Sequence, residues 1–118
     1  MHGAIHLFKS DDDLRSFRAG EKIFQEGESA ECMYIVREGE VEIYAGGRLL
    51  ETVGVSGIFG ELSLIDRDAR SMTAVATADC LLVPIDQRRF IYLVQESPMF
   101  ALQVMGVMAS RLRRMTKP

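Results

Sequence analysis

The chain has 118 residues, 47% of them hydrophobic and 26% charged, and its formal net charge is −3. This length allows one folded domain with one core, so residues 1–118 are expected to form a single globular domain. The net negative charge argues against a general nucleic-acid-binding surface.

The first 19 residues predict an N-terminal helical segment. Three consecutive aspartates at residues 11–13 can start a helix. Leu14 and Phe17 then lie three residues apart, on one face of that helix.

From residue 20 to residue 86 the pattern is typical of short strands. Residues 40–44 alternate polar and apolar side chains, as a half-buried strand does. Gly46 and Gly47, placed directly before Arg48-Leu49-Leu50, indicate a two-residue hairpin. Many short strands at this spacing predict a sandwich or a barrel. Further glycine turns divide the strands at Gly27, Gly39, Gly54 and Gly57.

Residues 87–118 predict C-terminal helices. Ser97 and Pro98 suit an N-cap and a first helical position, and the last helix then extends to about Thr116. We expect one apolar strip of this helix to pack on the strands and a second, heptad-like strip to form a homodimer contact. The alternative is that a single broad stripe packs within the same chain. The first strip contains Phe100, Val104 and Val107, and the second contains Ala101, Met105, Met108, Leu112 and Met115.

Residues 59–64, followed by Arg70, carry the candidate chemistry. Gly60 lets a ligand approach the backbone closely, and the start of a short helix offers unpaired N–H groups to an anion. Arg70 is a fixed cation whose planar fork matches phosphate oxygens. Glu61 repels phosphate but accepts well from a hydroxyl. The segment therefore predicts a pocket for a phosphate and a sugar hydroxyl, and the alternative is an exposed Glu61–Arg70 ion pair without function.

Other features exclude several function classes. Cys32 and Cys80 lack CxxC spacing and predict small buried hydrophobes in a reducing, cytoplasmic compartment. His2 and His6 both lie near the N-terminus, where neither a metal centre nor a Ser/His/Asp triad is expected. We therefore expect no enzyme activity, no metal and no cofactor. We also expect no membrane association, because the sequence has no bilayer-length apolar run and no signal peptide.

The run FGELSLIDRDARSMTAVA, residues 59–76, resembles the phosphate-binding cassette of cyclic nucleotide-binding domains. This family includes the catabolite activator protein and the regulatory regions of protein kinases A and G. Residues 17–28 and 33–43 resemble its other motifs in the same order, so the resemblance covers nearly the whole chain. It implies a mainly β fold: an antiparallel β-roll, jelly-roll-like, with a short cassette helix between strands and a C-terminal helix.

The resemblance also implies the ligand contacts. Glu61 would bind the ribose 2′-hydroxyl and Arg70 the cyclic phosphate of cAMP or cGMP. Backbone amides near Leu62 and Ser63, together with Ser71, would complete the phosphate cradle. The base would lie against apolar strand residues under the C-terminal helix. The expected ligand-binding residues are Leu50, Val53, Gly60, Glu61, Leu62, Ser63, Arg70, Ser71, Thr73 and Thr116.

The function that the resemblance implies is a regulatory sensor module. It would bind a cyclic nucleotide and signal to an unknown effector protein by moving its C-terminal helix or a partner interface. In bacterial transcription factors of the family a helix-turn-helix domain would follow. The chain stops at Pro118, so we expect no DNA binding by this chain.

Three alternatives are considered. The first is a β-roll scaffold that has lost ligand binding. The second is a cupin-like metalloenzyme, which would require strand-borne histidines that the sequence lacks. The third is the sensor fragment of a larger transcription regulator.

Overall fold

The computed structural model describes residues 14–116 and shows a mainly β fold with flanking helices. The strands are β1 (Arg15–Phe17), β2 (Lys22–Phe24), β3 (Cys32–Glu38), β4 (Val41–Ala45), β5 (Arg48–Val53), β6 (Ile58–Phe59), β7 (Thr73–Ala76) and β8 (Cys80–Asp86). The helices are α1 (Glu61–Asp66), α2 (Gln87–Glu96) and α3 (Pro98–Thr116). Two antiparallel four-stranded sheets have the orders β1-β8-β3-β6 and β2-β7-β4-β5. The expected antiparallel β-roll is confirmed.

Strand β3 is central because both of its faces are buried. Tyr34 and Val36 cluster with residues of both sheets, so they lie in the space between the sheets. Met33 and Ile35 alternate with them and cluster instead with side chains of α2 and α3, including Phe100. A strand that is covered on both faces needs a nearly continuous apolar run, and residues 32–36 provide it. Strand β3 therefore connects the sandwich core to the C-terminal helices.

The predicted hairpin is confirmed between β4 and β5. Ala45 pairs with Arg48, so Gly46 and Gly47 form the two-residue loop. Both glycines have positive φ, 58° and 78°, as a type I′ turn requires.

The predicted N-terminal helix is wrong over the part that the structure describes. Residues 15–17 form β1, in which Arg15 pairs with Leu82 and Phe17 pairs with Cys80. The strand forms because β8 supplies an open edge, which outweighs the weak helical spacing of the short segment. Leu14 and Phe17 pack against different core clusters, as residues on opposite faces of a strand do. The roll thus begins at residue 15 rather than 20, and the helix start predicted at residues 11–13 lies outside the described residues.

The C-terminal helices begin where the sequence predicts. The Asp86 carboxylate accepts a hydrogen bond from the Arg89 backbone N–H at 2.8 Å and caps α2. Helix α3 begins at Pro98, and Phe100 and Val104 on its inner strip are each 1% exposed. Its outer side carries exposed apolar side chains at Met99, Leu102, Met105 and Leu112. Within residues 14–116 no helix is long and apolar enough to span a bilayer.

Gly39 is expected to be essential for the turn between β3 and β4. Its φ is 96°, and a Cβ there would lie 2.5 Å from the Asp79 carbonyl oxygen. Gly20 has a similar φ of 91° but no atom within 4 Å of such a Cβ. We predict that Gly39→Ala lowers the free energy of unfolding by about 2–5 kcal/mol and Gly20→Ala by only about 1–2 kcal/mol. Urea denaturation measures both, and equal losses would contradict the proposed steric cause.

Candidate ligand-binding site

The short helix α1 is fixed between two residues in the left-handed backbone region, Gly60 at φ 79° and Arg67 at φ 60°. A Cβ at Gly60 would lie 2.7 Å from Nη1 of Arg70 and 3.3 Å from the Phe24 ring. Residue 60 therefore has to be glycine for two reasons, its backbone conformation and the close approach of the arginine. This turn brings α1 and Arg70 together.

Arg70 lies in the interior and is only 6% exposed. Its Nη1 donates to the Gly60 carbonyl at 3.1 Å and its Nη2 donates to the Cys32 carbonyl at 2.5 Å. The guanidinium carbon lies 3.9 Å from the centre of the Phe24 ring, in cation–π contact. No acceptor in residues 14–116 reaches its buried Nε. Burial lowers the pKa of Arg70 from its usual value because the charged form loses hydration.

Glu61, the first residue of α1, is fully buried. Its Oε1 accepts a hydrogen bond from Nη1 of Arg111, whereas its buried Oε2 has no donor among the residues that the structure describes. Burial raises the pKa of Glu61 above 4.5, the positive charge of Arg111 opposes that rise, and Glu51 adds to it. Glu61 and Arg70 are thus both buried, and neither is the other's hydrogen-bond partner.

Arg111 on α3 is the site residue that the sequence analysis missed. It is 1% exposed and donates to the Ile58 carbonyl at 2.5 Å, to Glu51 at 2.9 Å and to Glu61. A sequence signal for it existed. Arg111 follows Phe100, Val104 and Val107 at spacings of four, three and four, so a cation continues the inward-facing apolar strip. A charge at such a position requires a buried partner.

A small cavity of about 10 Å³ lies at the meeting point of α1, Arg70 and Arg111, and this space suffices for about one water molecule. Predicted site residues at its wall are Gly60, Leu62, Ser63, Arg70 and Ser71, and the other lining residues are Phe24, Ile43, Phe59, Met72 and Arg111. The site is therefore closed in this conformation.

Glu61 and the remaining predicted site residues do not line this cavity. Leu50 and Val53 on β5 pack against the core between the sheets. The Thr73 hydroxyl on β7 accepts from the Glu26 backbone N–H at 3.1 Å. Thr116 is exposed at the end of α3, where its hydroxyl donates to the Arg113 carbonyl of its own helix at 3.0 Å. Of these last four residues, the structure brings only Leu50 and Val53 into the core beside the cavity.

The site offers unpaired hydrogen-bonding groups. Among residues 14–116, Nε of Arg70 lacks an acceptor and Oε2 of Glu61 lacks a donor. Arg70 and Ser71 line the cavity, and Glu61 is held beside it by Arg111, which also lines it. In residues 14–116 no group of three or more His, Cys, Asp and Glu side chains is placed to hold a metal ion. Cys32 and Cys80 are buried and unpaired, as the sequence predicts.

Removal of Arg111 is expected to destabilise the fold. Loss of one partner of a buried ion pair costs about 3–5 kcal/mol, because the remaining charge is left uncompensated. We predict such a loss for Arg111→Met at neutral pH, and a loss below about 1 kcal/mol for Arg113→Met, an exposed arginine on the same helix. Chemical denaturation at neutral pH measures both values.

The loss of unfolding free energy caused by Arg111→Met should become smaller as the pH falls. The pKa of Glu61 is raised, so its protonated form is the one that stabilises the fold, and this contribution is lost as the pH rises from 4.5 through the raised pKa. Without Arg111 that pKa rises further, and protonated Glu61 needs no counter-charge. A deficit independent of pH would contradict the pairing of Arg111 with an ionised Glu61.

Comparison with known proteins identifies the family. The chain is 33% identical over 104 residues to the cyclic AMP receptor protein of Thermus thermophilus, an overlap of 84% of this chain and 48% of that protein. It is 37% identical over 71 residues to the cAMP-dependent protein kinase regulatory subunit of Eremothecium gossypii, covering 60% of this chain and 16% of that subunit. The chain thus spans about half of the length of the first relative and less of the second.

The fold comparison agrees with the sequence comparison. The crystal structure of the Thermus thermophilus catabolite activator protein matches with a TM-score of 0.79 and 31% identity, over 95% of this chain and 53% of that chain. The family model for the cyclic nucleotide-binding domain matches residues 14–97. The chain belongs to the cyclic nucleotide-binding domain family.

Proposed function

We propose that the chain is a regulatory module that binds a cyclic nucleotide, cAMP or cGMP, with Arg70 on the cyclic phosphate and Glu61 on the ribose 2′-hydroxyl. One observation carries this proposal. Arg70 Nε and Glu61 Oε2 are both buried and lack a hydrogen-bond partner within residues 14–116. Buried polar atoms are nearly always paired. A phosphate supplies the acceptor that Arg70 lacks, and a hydroxyl supplies the donor that Glu61 lacks.

The two groups also have the charges that this ligand requires. A phosphate about 4 Å from a guanidinium gains on the order of 4 kcal/mol at an effective dielectric constant near 20. The carboxylate would repel phosphate, so it fits the sugar side of the ligand. The chemistry is binding alone, which supports a role as a sensor rather than an enzyme.

Entry of the nucleotide requires the closed cavity to widen. A space for about one water molecule cannot hold a nucleotide, so lining side chains and the helix that carries Arg111 have to shift. A ligand shifts a conformational equilibrium by its difference in affinity for the two states. Helix α3 is the element whose movement would report binding to an effector protein.

The proposal also covers the residues that would contact the base and the cellular compartment. Leu50 and Val53 would form the apolar wall for the base, and Thr116 would reach its edge only if the end of α3 moved inward. The hydroxyl of Ser71 is compatible with either purine. The buried free thiols of Cys32 and Cys80 support a reducing, cytoplasmic setting.

Replacement of Arg70 tests the proposed ligand. We predict that Arg70→Ala weakens cyclic nucleotide binding by about tenfold to thousandfold, because the phosphate loses its charge-assisted hydrogen bonds. Arg70→Lys should recover only part of the loss, since an ammonium lacks the planar fork. Titration calorimetry with cAMP and cGMP measures both effects. The control is Arg48→Ala, an exposed arginine at the start of β5.

Two results would contradict the proposal. One is unchanged affinity in Arg70→Ala. The other is the absence of binding and of thermal stabilisation in the unaltered chain at millimolar nucleotide, which would favour a β-roll scaffold that has lost its ligand.

The outer side of α3 supports a homodimer. Met99, Leu102, Met105 and Leu112 are 64%, 57%, 53% and 48% exposed and follow one another along the helix. A second copy would remove this apolar stripe from water. Met105 and Leu112 belong to the heptad-like strip that the sequence predicts. The prediction is wrong for Met108 and Met115 of that strip, because both pack against the cores of the same chain.

A charge in this stripe should break the dimer. We predict that Leu102→Glu shifts the chain to a monomer in analytical ultracentrifugation, because a carboxylate cannot be buried there without a partner. The matched control is Gln103→Glu, which places the same charge on the neighbouring exposed residue. Equal sedimentation of Leu102→Glu and the unaltered chain would exclude this interface.

A further inference from the structure

We infer that Glu51 is a positioning residue of the nucleotide site, acting through Arg111, and that it makes ribose binding depend on the docking of α3. The inference rests on the proposed function, because it concerns how Glu61 is presented to a ribose hydroxyl. Glu51 lies on β5, and its carboxylate is 25% exposed, whereas Arg111 and Glu61 are buried. Glu51 is therefore the solvent-facing end of a chain of three charged side chains.

The contacts show how Glu51 holds Arg111. Nε of Arg111 donates to one Glu51 oxygen at 2.9 Å, and Nη2 approaches the other at 3.4 Å. Arg114, one turn later on α3, approaches the first of these oxygens at 3.6 Å. Two cations of one helix thus converge on a single carboxylate of the roll. A carboxylate that meets the side of a guanidinium in this way fixes the plane of the group.

That plane decides where Nη1 of Arg111 points. With Nε held by Glu51 and Nη2 held by the Ile58 carbonyl at 2.5 Å, Nη1 is left for Oε1 of Glu61. Glu61 then keeps its second oxygen, Oε2, for a ligand, since no donor in the described part of the chain reaches it. Loss of Glu51 would release one edge of the guanidinium, and the Glu61 carboxylate would lose its fixed orientation.

If Glu51 acted only through its charge, its removal would change the strength of the ribose contact in the opposite direction. Glu51 contributes to the raised pKa of Glu61, so removal of its charge alone would favour the ionised acceptor and strengthen a hydroxyl contact. A positioning role predicts a weaker contact. The direction of the change therefore distinguishes the two roles.

The arrangement couples the ligand to the helix. Every hydrogen bond that the Arg111 guanidinium makes within residues 14–116 goes to residues 51–61. The side chain that orients Glu61 therefore also helps to attach α3 to the roll, together with Arg114. If docking of α3 improves ribose binding, ribose binding must favour docking of α3 by the same factor.

The test compares ligands with and without the ribose hydroxyl. Titration calorimetry with cAMP and cGMP, each paired with its 2′-deoxy analogue, gives the affinity ratio that the hydroxyl contributes. We expect a ratio of about tenfold to hundredfold for the unaltered chain, as for a hydrogen bond to a charged group. The ratio should fall several-fold in Glu51→Ala and by less in Glu51→Gln, which retains an acceptor for Arg111 Nε.

Glu42→Ala is the matched control. Glu42 is a half-buried carboxylate on the neighbouring strand β4 and accepts from the Tyr44 hydroxyl at 2.7 Å. Its removal should leave the ratio unchanged. If Glu51→Ala does not fold, Glu51→Gln, which preserves the shape of the side chain, still provides the comparison.

The outcomes separate this inference from the function on which it rests. A ratio unchanged or increased by loss of Glu51 would overturn the inference alone, and so would an equal weakening of the ribose and deoxyribose ligands, which indicates a structural role. If the unaltered chain binds none of these nucleotides, the proposed function is overturned and the inference with it.

Discussion

The rest of the site depends on one buried ion pair, between Glu61 at the start of α1 and Arg111 near the end of α3. Removal of each ion from water costs several kcal/mol, and mutual attraction offsets this cost only where geometry and further hydrogen bonds are good. Arg111 meets that condition through Ile58 and Glu51. Because the partners lie 50 residues apart, the pair joins the cassette to the C-terminal helix. Among residues 14–116 the pair leaves Glu61 Oε2 without a donor, and this missing hydrogen bond is a cost to stability.

Arg70 is held by a different set of contacts. Backbone carbonyls of Gly60 and Cys32 and the face of Phe24 surround its guanidinium, and none of its hydrogen bonds within residues 14–116 goes to a carboxylate. Phe24 is itself supported by Tyr34 and by Phe59, whose ring centre lies 5.9 Å from that of Phe24. The aromatic core of the sandwich thus fixes the position of a cation that has lost hydration. Burial of a cation without its hydration shell costs free energy, and such costs are typical of binding sites, where unsatisfied groups are kept for a ligand.

Local patterns in the sequence sufficed for the strands, for the glycine hairpin and for the start of α3 at Pro98, because each depends on neighbouring residues. They also sufficed for the burial of Glu61 and Arg70, which lie between apolar runs. They failed for β1, since its partner β8 lies about 65 residues later in the chain. They failed for the pairing of Arg111 with Glu61 for the same reason, because the helical spacing marks Arg111 as inward-facing but does not identify a partner 50 residues away. The predicted end of α3 near Thr116 is confirmed, whereas the Thr116 hydroxyl bonds within its own helix and makes no contact at the cavity.

Helix α3 serves two environments, and this division explains why its composition is mixed. Its inner strip packs on the roll and ends in Arg111, whereas its outer side exposes methionine and leucine. A change in the hydrogen bonds of Arg111 would move the inner and outer sides of α3 together, because an α-helix is rigid over this length. Any partner that covers the outer side would then favour one position of Arg111 over another, and hence one state of Glu61. If the chain binds a nucleotide and a partner as proposed, the two events need no separate pathway between them, because one helix would carry both contacts.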